Sequence, residues 1–562
     1  MGGETMNMEM PVGISDFKEA REGYYVVDKT QFICKLIDTH KKVTLFTRPR
    51  RFGKTLTMSM LEYFFSIDRK EDSIQLFSGL AIANAGSAYL KHQGQYPVIF
   101  TTLKDFYNPT WESMYQSIRL LTQDIYTPFS YLLDSHKLLP AEKDFVQRMI
   151  DGTAVTEEYQ VGLKRLSMLL YKHYGIQPII LIDEYDAPLQ NAYNEGFYDE
   201  ALLFWKGWFN GALKDNRALR FAVLTGVLRI AKESIFSGLN NLAVYSVLEG
   251  NYSDVFGFTV AEVAQMAKDL HKEEKIPEIK QWYDGYTFGQ TEIYNPWSVI
   301  NYFSKGCKPG AYWVNTSGNS ILYQAFRQAD AERLQALQDL MDGQCINTTI
   351  DDGVIYKDIG KSDSALYSMM LNTGYLKAVH VEDIRSEMEW YEVKIPNEEI
   401  KRVYKREILS NIVQGLSANS FLNFQISLLR GETQGVTTKL HDILLKMVSF
   451  YDTRPKESFY HGLLLGMTCL LESDAYHVVS NRESGYGRFD LAVFPTNMED
   501  YGIIMEFKVA NSEAELEKKA QEALQQIETK AYITEFRKQH VRHVWKYGIA
   551  FCGKHVKIVQ SI

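Results

Sequence analysis

Two short apolar runs, each ending in residues with chemistry to offer, limit the folds open to this 562-residue chain more than any other feature. KKVTLFT, 41–47, leads into RPRRFGKTLT; QPIILID, 177–183, ends on Asp183 and is followed by Glu184. Apolar runs without alternation are the pattern of strands buried on both faces, and such strands belong to parallel sheets covered by helices. After the first run, Gly53, Lys54 and Thr55 complete the phosphate-loop template G-x-x-x-x-G-K-[ST], but Arg48 stands where the template has its first glycine. KTLTMSMLEYFF then reads as a helix with Leu56, Met60, Leu61 and Phe64 on one face.

A phosphate loop works by joining a buried strand to a helix N-terminus, where backbone N–H groups and the helix dipole face the anion. In that setting Lys54 reaches the β- and γ-phosphates and Thr55 ligates Mg²⁺. Asp183 and Glu184 end the second strand about 130 residues later, as a Walker B pair does; Asp183 holds Mg²⁺ and Glu184 polarises the attacking water. A third apolar run, RFAVLTG at 220–226, places Thr225 where such a sheet senses the terminal phosphate. Arg229 reads equally as a source of charge for the transition state or as a surface ion-pair partner. Losing the first glycine implies a differently shaped entry, stiffened by Pro49. Arg48, Arg50 and Arg51 bring charge that one of them can pair with a triphosphate. The candidate nucleotide set is thus Arg48, Pro49, Arg50, Arg51, Phe52, Gly53, Lys54, Thr55, Asp183 and Thr225. No N-K-x-D segment is present to read guanine, so ATP is expected over GTP.

Together with the loop RPRRFGKT and the strand LIDEYDAPL, the segment PVGISDFKEAREGYYVVDKTQFICKLI (11–37) completes a pattern that closely resembles the bacterial AAA-ATPase-like proteins. These are P-loop ATPases related to the STAND and archaeal ATPase groups. The resemblance extends through WYDGYTFG (282–289) and YNPWSVINYF (294–303), and it makes Arg48 a family feature. It also singles out VDKT, 27–30, whose Lys29 is expected near the nucleotide.

Beyond residue 260, GYLKAVHVED and EMEWYEVKIPN alternate around a polar turn and read as a hairpin, either a DNA-contacting wing or a packing element. Nearer the end, GRFDLAVF and GIIMEFKV read as paired strands. In the second, Ile503, Met505, Phe507 and Val509 share one face, and Ile504, Glu506 and Lys508 share the other. Glu and Lys inside so apolar a strand need a neutralising partner, and Asp490 on the preceding strand can supply it. Asp490, Glu506 and Lys508 form the D…E-x-K constellation of PD-(D/E)XK nucleases. The Asp490 and Glu506 carboxylates and the Phe507 carbonyl offer Mg²⁺ hard oxygen ligands, with Lys508 positioning the water. Glu457 and His461 share a helix face that either approaches this metal or only packs; Gln526 and Lys530 share one where related nucleases meet DNA. The stretch from about 420 resembles the PD-(D/E)XK domain found C-terminal to AAA-ATPase-like domains.

The expected architecture is therefore α/β. It comprises a P-loop NTPase parallel-sheet domain (1–260), a helical and winged-helix-like middle region (261–420) and a restriction-endonuclease-like domain (421–562). The expected function is ATP binding and hydrolysis coupled to Mg²⁺-dependent action on nucleic acid, DNA before RNA. The alternative is a signalling or scaffold ATPase whose last domain binds without cutting. A net charge of −9 rules out coating nucleic acid through bulk charge. The five cysteines form no C-x-x-C pair, which speaks against a zinc ribbon and fits a reducing cytoplasm. MGGETMNMEM is no signal peptide, Met6 breaks the myristoylation pattern, and GLLLGMTCLL (462–471) is too short to span a membrane. ATP-dependent self-association or a protein partner is compatible with this architecture.

Overall fold

The computed structural model describes residues 9–229, 241–313, 343–351, 362–381, 389–404, 418–447, 457–468, 475–484 and 487–561, with isolated residues between them. The chain forms two compact units, Met1–Gly318 with Asp342–Lys401 and Asn319–Met341 with Arg402–Ile562.

In the first unit β1 (Val43–Thr47), β2 (Val98–Thr102), β3 (Ile179–Asp183), β4 (Ala222–Gly226) and β5 (Leu242–Tyr245) make a parallel sheet ordered β2-β3-β4-β1-β5. Every residue of β1, β3 and β4 is buried, which is why their sequences do not alternate. β4 lies between β1 and β3, so the carboxyl ends of these three strands are adjacent, where open α/β sheets take ligands. The helix after β1 spans Lys54–Phe65, as the periodicity predicts. Its burial differs from the expected single stripe: Thr57 through Leu61 and Tyr63 through Phe65 are all buried, and Leu56 is partly exposed. It is a core helix, covered in part by the N-terminal segment, whose Phe17 N–H donates to Ser59 Oγ at 3.0 Å.

Residues 261–318 and 342–401, anticipated as part of a separate middle region, cluster with the parallel sheet in the first unit. The described residues of this region include helices Val260–Asp269, Ile276–Tyr283, Pro296–Ser304 and Asp363–Asn372. Two small sheets punctuate it. β6 (Phe258–Thr259), β7 (Tyr286–Phe288) and β8 (Thr291–Tyr294) are ordered β6-β8-β7. The expected hairpin is present as β10 (Lys377–Val381) and β11 (Trp390–Lys394), and β9 (Ile346–Thr349) pairs antiparallel with its second strand.

The second unit holds a mixed sheet of β12 (Tyr476–Ser484), β13 (Gly487–Pro495), β14 (Tyr501–Val509), β15 (His543–Cys552) and β16 (His555–Ser561), in chain order. Only β14 and β15 pair in parallel, and helix Leu516–Thr529 makes the crossover that parallel neighbours require. The face assignment for β14 holds. Ile503, Met505 and Phe507 pack with helices Ala418–Leu429, Thr433–Met447 and Glu457–Thr468, whereas Ile504 packs with Ile527 and Phe536 on the other side. Among the described residues no helix is long and apolar enough to cross a membrane.

The crossover helix lies so close to β15 that a Cβ on Gly548 would come within 2.3 Å of the Ala520 carbonyl and 2.5 Å of the Leu524 nitrogen. Gly548→Ala is therefore expected to destabilise this unit by about 1–3 kcal/mol, seen as a lower urea midpoint by circular dichroism. An unchanged midpoint would contradict so close a helix.

Candidate functional site

The loop between β1 and its helix is shaped by two left-handed residues, Arg51 (φ 67°) and Gly53 (φ 81°). Nothing lies within 4 Å of a Cβ built on Gly53, so its glycine answers to conformation and not to space. The helix begins at Lys54 with no side-chain cap, leaving its first-turn N–H groups without intrahelical acceptors. Lys54 is buried, and its ammonium donates to the Arg48 and Pro49 carbonyls at 3.1 and 2.9 Å. Burial pushes its pKa down, against the pull of Glu184, Asp183 and Asp186.

The carboxyl ends of β3 and β4 meet this loop through Asp183. One carboxylate oxygen accepts from Thr55 Oγ1 at 2.6 Å and the other from Thr225 Oγ1, so the loop helix and both strands converge on one buried group. Glu184 follows with φ 51°, a conformation that non-glycine residues adopt at a cost and that clusters at functional sites. Burial raises its pKa, while Lys54 and Arg50 lower it. Asp186, which sequence reasoning passed over, is also buried and accepts from the Val227 and Leu228 N–H groups at 2.9 and 2.8 Å. Tyr185 donates to the Leu228 carbonyl at 2.6 Å. Together these bonds tie the turn leading to Arg229 to the end of β3; Arg229 itself is partly buried.

The three arginines have separate fates. The Arg48 guanidinium is fully buried and donates to the carbonyls of Thr47 (2.9 Å), Tyr245 (2.8 Å) and Tyr252 (3.3 Å). It also lies 4.9 Å from the Phe288 ring and 5.6 Å from that of Phe256. Arg48 is thus an internal brace between three backbone carbonyls. Phe52 is likewise a core residue, packed on Tyr286 and Phe288, and Pro49 is buried beneath the loop. Arg51 lies 4.0 Å over Trp297. Arg50 donates to Gln190 Oε1 at 2.6 Å, and of the three it is the one whose charge acts on both Lys54 and Glu184. Lys29 is a structural link, donating to Glu262 Oε2 at 2.6 Å and the Asp254 carbonyl at 2.7 Å.

In the second unit the register Leu491↔Met505, Ala492↔Ile504, Val493↔Ile503 brings Asp490 to Glu506 at its next step. Asp490 Oδ2 accepts from the Phe507 N–H at 2.6 Å, and Lys508 Nζ is 3.8 Å from Glu506 Oε1. Burial pushes Asp490 up, opposed by the Phe507 N–H and the Lys508 charge. Gln526, expected to face DNA, turns inward: its amide donates to Glu506 Oε1 and, at 3.3 Å, to Tyr532 Oη. His461 donates through Nε2 to the Asp490 carbonyl at 3.0 Å and lies beside Phe507, on the sheet face opposite Glu506. It supports β13 from behind. The Glu457 side chain lies outside the described residues.

Both donor sets fit the groups they imply. The first pairs a buried lysine at a helix N-terminus with a hydroxyl–carboxylate couple, Thr55 and Asp183, suited to a magnesium nucleotide. The second offers the Asp490 and Glu506 carboxylates and the Phe507 carbonyl, all hard oxygen. Comparison with known proteins agrees with both. Residues 11–236 match the family model described as predicted AAA-ATPase, and residues 455–561 that of the PD-(D/E)XK nuclease superfamily. An uncharacterized protein in the vnfD 5′ region of Azotobacter chroococcum mcd 1 is 26% identical over 547 residues, covering 94% of each chain.

Asp186→Ala strands two buried N–H donors and is expected to cost about 3 kcal/mol in denaturant unfolding. Glu184→Gly relieves a left-handed glutamate and is expected to leave stability unchanged or up to about 1 kcal/mol higher. The reverse ranking would contradict the roles assigned to the two carboxylates.

Proposed function

We propose that this chain, which carries an AAA-ATPase-like domain followed by a PD-(D/E)XK nuclease-superfamily domain, binds and hydrolyses ATP to control cleavage of nucleic acid, DNA before RNA, in the cytoplasm. Asp183 supports the first half: it gathers Thr55 and Thr225 beside Lys54 and Glu184. Lys54 neutralises phosphate charge, Thr55 and Asp183 would hold Mg²⁺, and Glu184, its proton affinity raised by burial, orients and deprotonates water. Arg50 and Arg229 are the candidate cations for charge that develops on the leaving phosphates.

The observation that carries the second half is the convergence of Asp490, Glu506 and Lys508 on adjacent strands. Mg²⁺ bound there would neutralise phosphodiester charge and acidify water. Lys508 orients that water, the Phe507 N–H fixes the Asp490 carboxylate, and Gln526 fixes that of Glu506. The net charge of −9 favours a second reading, a signalling or scaffold ATPase whose last domain binds a protein partner or another copy without cutting.

The test is cleavage of labelled single- and double-stranded DNA and RNA with Mg²⁺ or Mn²⁺, with and without ATP. Wild type is compared with Lys508→Ala and Lys54→Ala. Cleavage is expected to disappear in Lys508→Ala and to lose its response to ATP in Lys54→Ala. An uncut panel with ATP binding intact would transfer support to the scaffold reading.

A further inference from the structure

The chain leaves the first unit after Gly318, returns at Asp342 and leaves again after Lys401. Trp313 lies five residues before the first departure and Glu399 two before the last, and the two residues are bonded to each other: the Trp313 N–H donates to Glu399 Oε1 at 2.8 Å. Trp313 and the residue before it reach the nucleotide loop. The Trp313 indole donates to the Arg50 carbonyl at 3.3 Å, and the preceding carbonyl, Tyr312 O, accepts from Arg51 at 3.3 Å and from the Trp297 indole at 2.9 Å. Trp297 also carries the Arg51 guanidinium on its ring, so the left-handed turn at Arg51 is held from outside the loop. Gly374 completes the contact, since a Cβ there would come 2.9 Å from Pro49 Cβ.

Glu399 is fully buried. A carboxylate in such a place is costly unless bonded, and an apolar side chain would pack there more cheaply. Besides the Trp313 N–H it accepts from the Ser298 hydroxyl, at 2.7 Å to Oε2 and 3.0 Å to Oε1. These bonds orient the turn that the loop arginines lean on.

We infer that Glu399 is a positioning residue for the nucleotide loop, fixing Arg50 and Arg51 through the Tyr312–Trp313 turn and tying the shape of the loop to the two stretches of chain that lead into the second unit. The inference rests on the nucleotide reading above. Burial pushes Glu399 up to about 7, partly offset by its bonds and by the Arg51 charge; the Tyr283, Tyr286 and Tyr312 phenols that also face it are raised and stay neutral. Its attraction for Arg51 is present above that pH and is lost as the pH falls through it.

The test uses the full-length protein. Hydrogen exchange of the amides in 308–313 and 396–401 is followed with and without Mg²⁺ and a slowly hydrolysed ATP analogue, alongside analogue affinity from pH 6 to 8. Wild type is compared with Glu399→Gln, which keeps the shape and an acceptor for Trp313, and with Lys54→Ala as the control without nucleotide. Severalfold slower exchange in both stretches is expected for wild type with the analogue, and none for Lys54→Ala. Glu399→Gln is expected to bind roughly tenfold more weakly at pH 8, with the wild-type advantage fading towards pH 6. Full analogue binding with unmoved exchange, or a Glu399→Gln affinity equal to wild type at every pH, would overturn the positioning role. Absence of analogue binding by folded wild type would sink the nucleotide reading itself.

Discussion

The first unit depends on how it buries one cation. The Arg48 guanidinium is buried and, among the described residues, bonds to no carboxylate; burial lowers its pKa to about 9, opposed by the Glu249 charge, so it remains charged at neutral pH. An uncompensated charge there would cost several kcal/mol. The structure meets that cost with three backbone carbonyls and the faces of Phe256 and Phe288. Those groups belong to the end of β1, the end of β5, the turn at Tyr252 and the β7 strand. One side chain therefore joins the entry of the loop to the sheet edge and to the small hairpin beside it. Its backbone N–H donates to the Gly226 carbonyl, extending the β1–β4 pairing by one residue past the strand. A glycine at this position supplies a turn and nothing else.

Once the loop is held from beneath, its other groups are free to act. Lys54 caps carbonyls of the loop, Asp183 collects hydroxyls from two other elements, and Glu184 is kept in a left-handed conformation between them. Polar groups so densely bonded in a buried corner are worth their desolvation only if their geometry matters. The second unit follows the same logic on a different frame. A strand whose middle is buried on both faces carries a buried carboxylate and a half-buried lysine, and the neighbouring strand, the crossover helix and a histidine behind the sheet fix their surroundings.

Much of this frame was legible in the sequence. Unbroken apolar runs identified β1, β3 and β4; the 3.6-residue pattern ended the loop helix where it ends; alternation assigned both faces of β14. What stayed hidden is partner choice. Three arginines in four residues look alike in a string, yet one braces carbonyls about 200 residues away, one lies on a tryptophan and one faces the carboxylates. Resemblance puts Gln526 on a DNA-facing helix side and Lys29 near the nucleotide, and in the structure each bonds to an internal carboxylate. Asp186 and Glu399 carry no local signature, because their donors lie about 40 and about 90–100 residues off in sequence and become neighbours only in the folded unit.

The most direct test of the buried brace is to repair the template. Arg48→Gly makes the segment match G-x-x-x-x-G-K-T in full, and its affinity for magnesium ATP can be measured by calorimetry together with its melting temperature. If Arg48 is an internal brace, the repaired loop loses stability and binds nucleotide more weakly than wild type. If the arginine merely occupies a glycine's place, the variant remains as stable and binds as well or better, and the dependence of the loop on a buried cation is refuted.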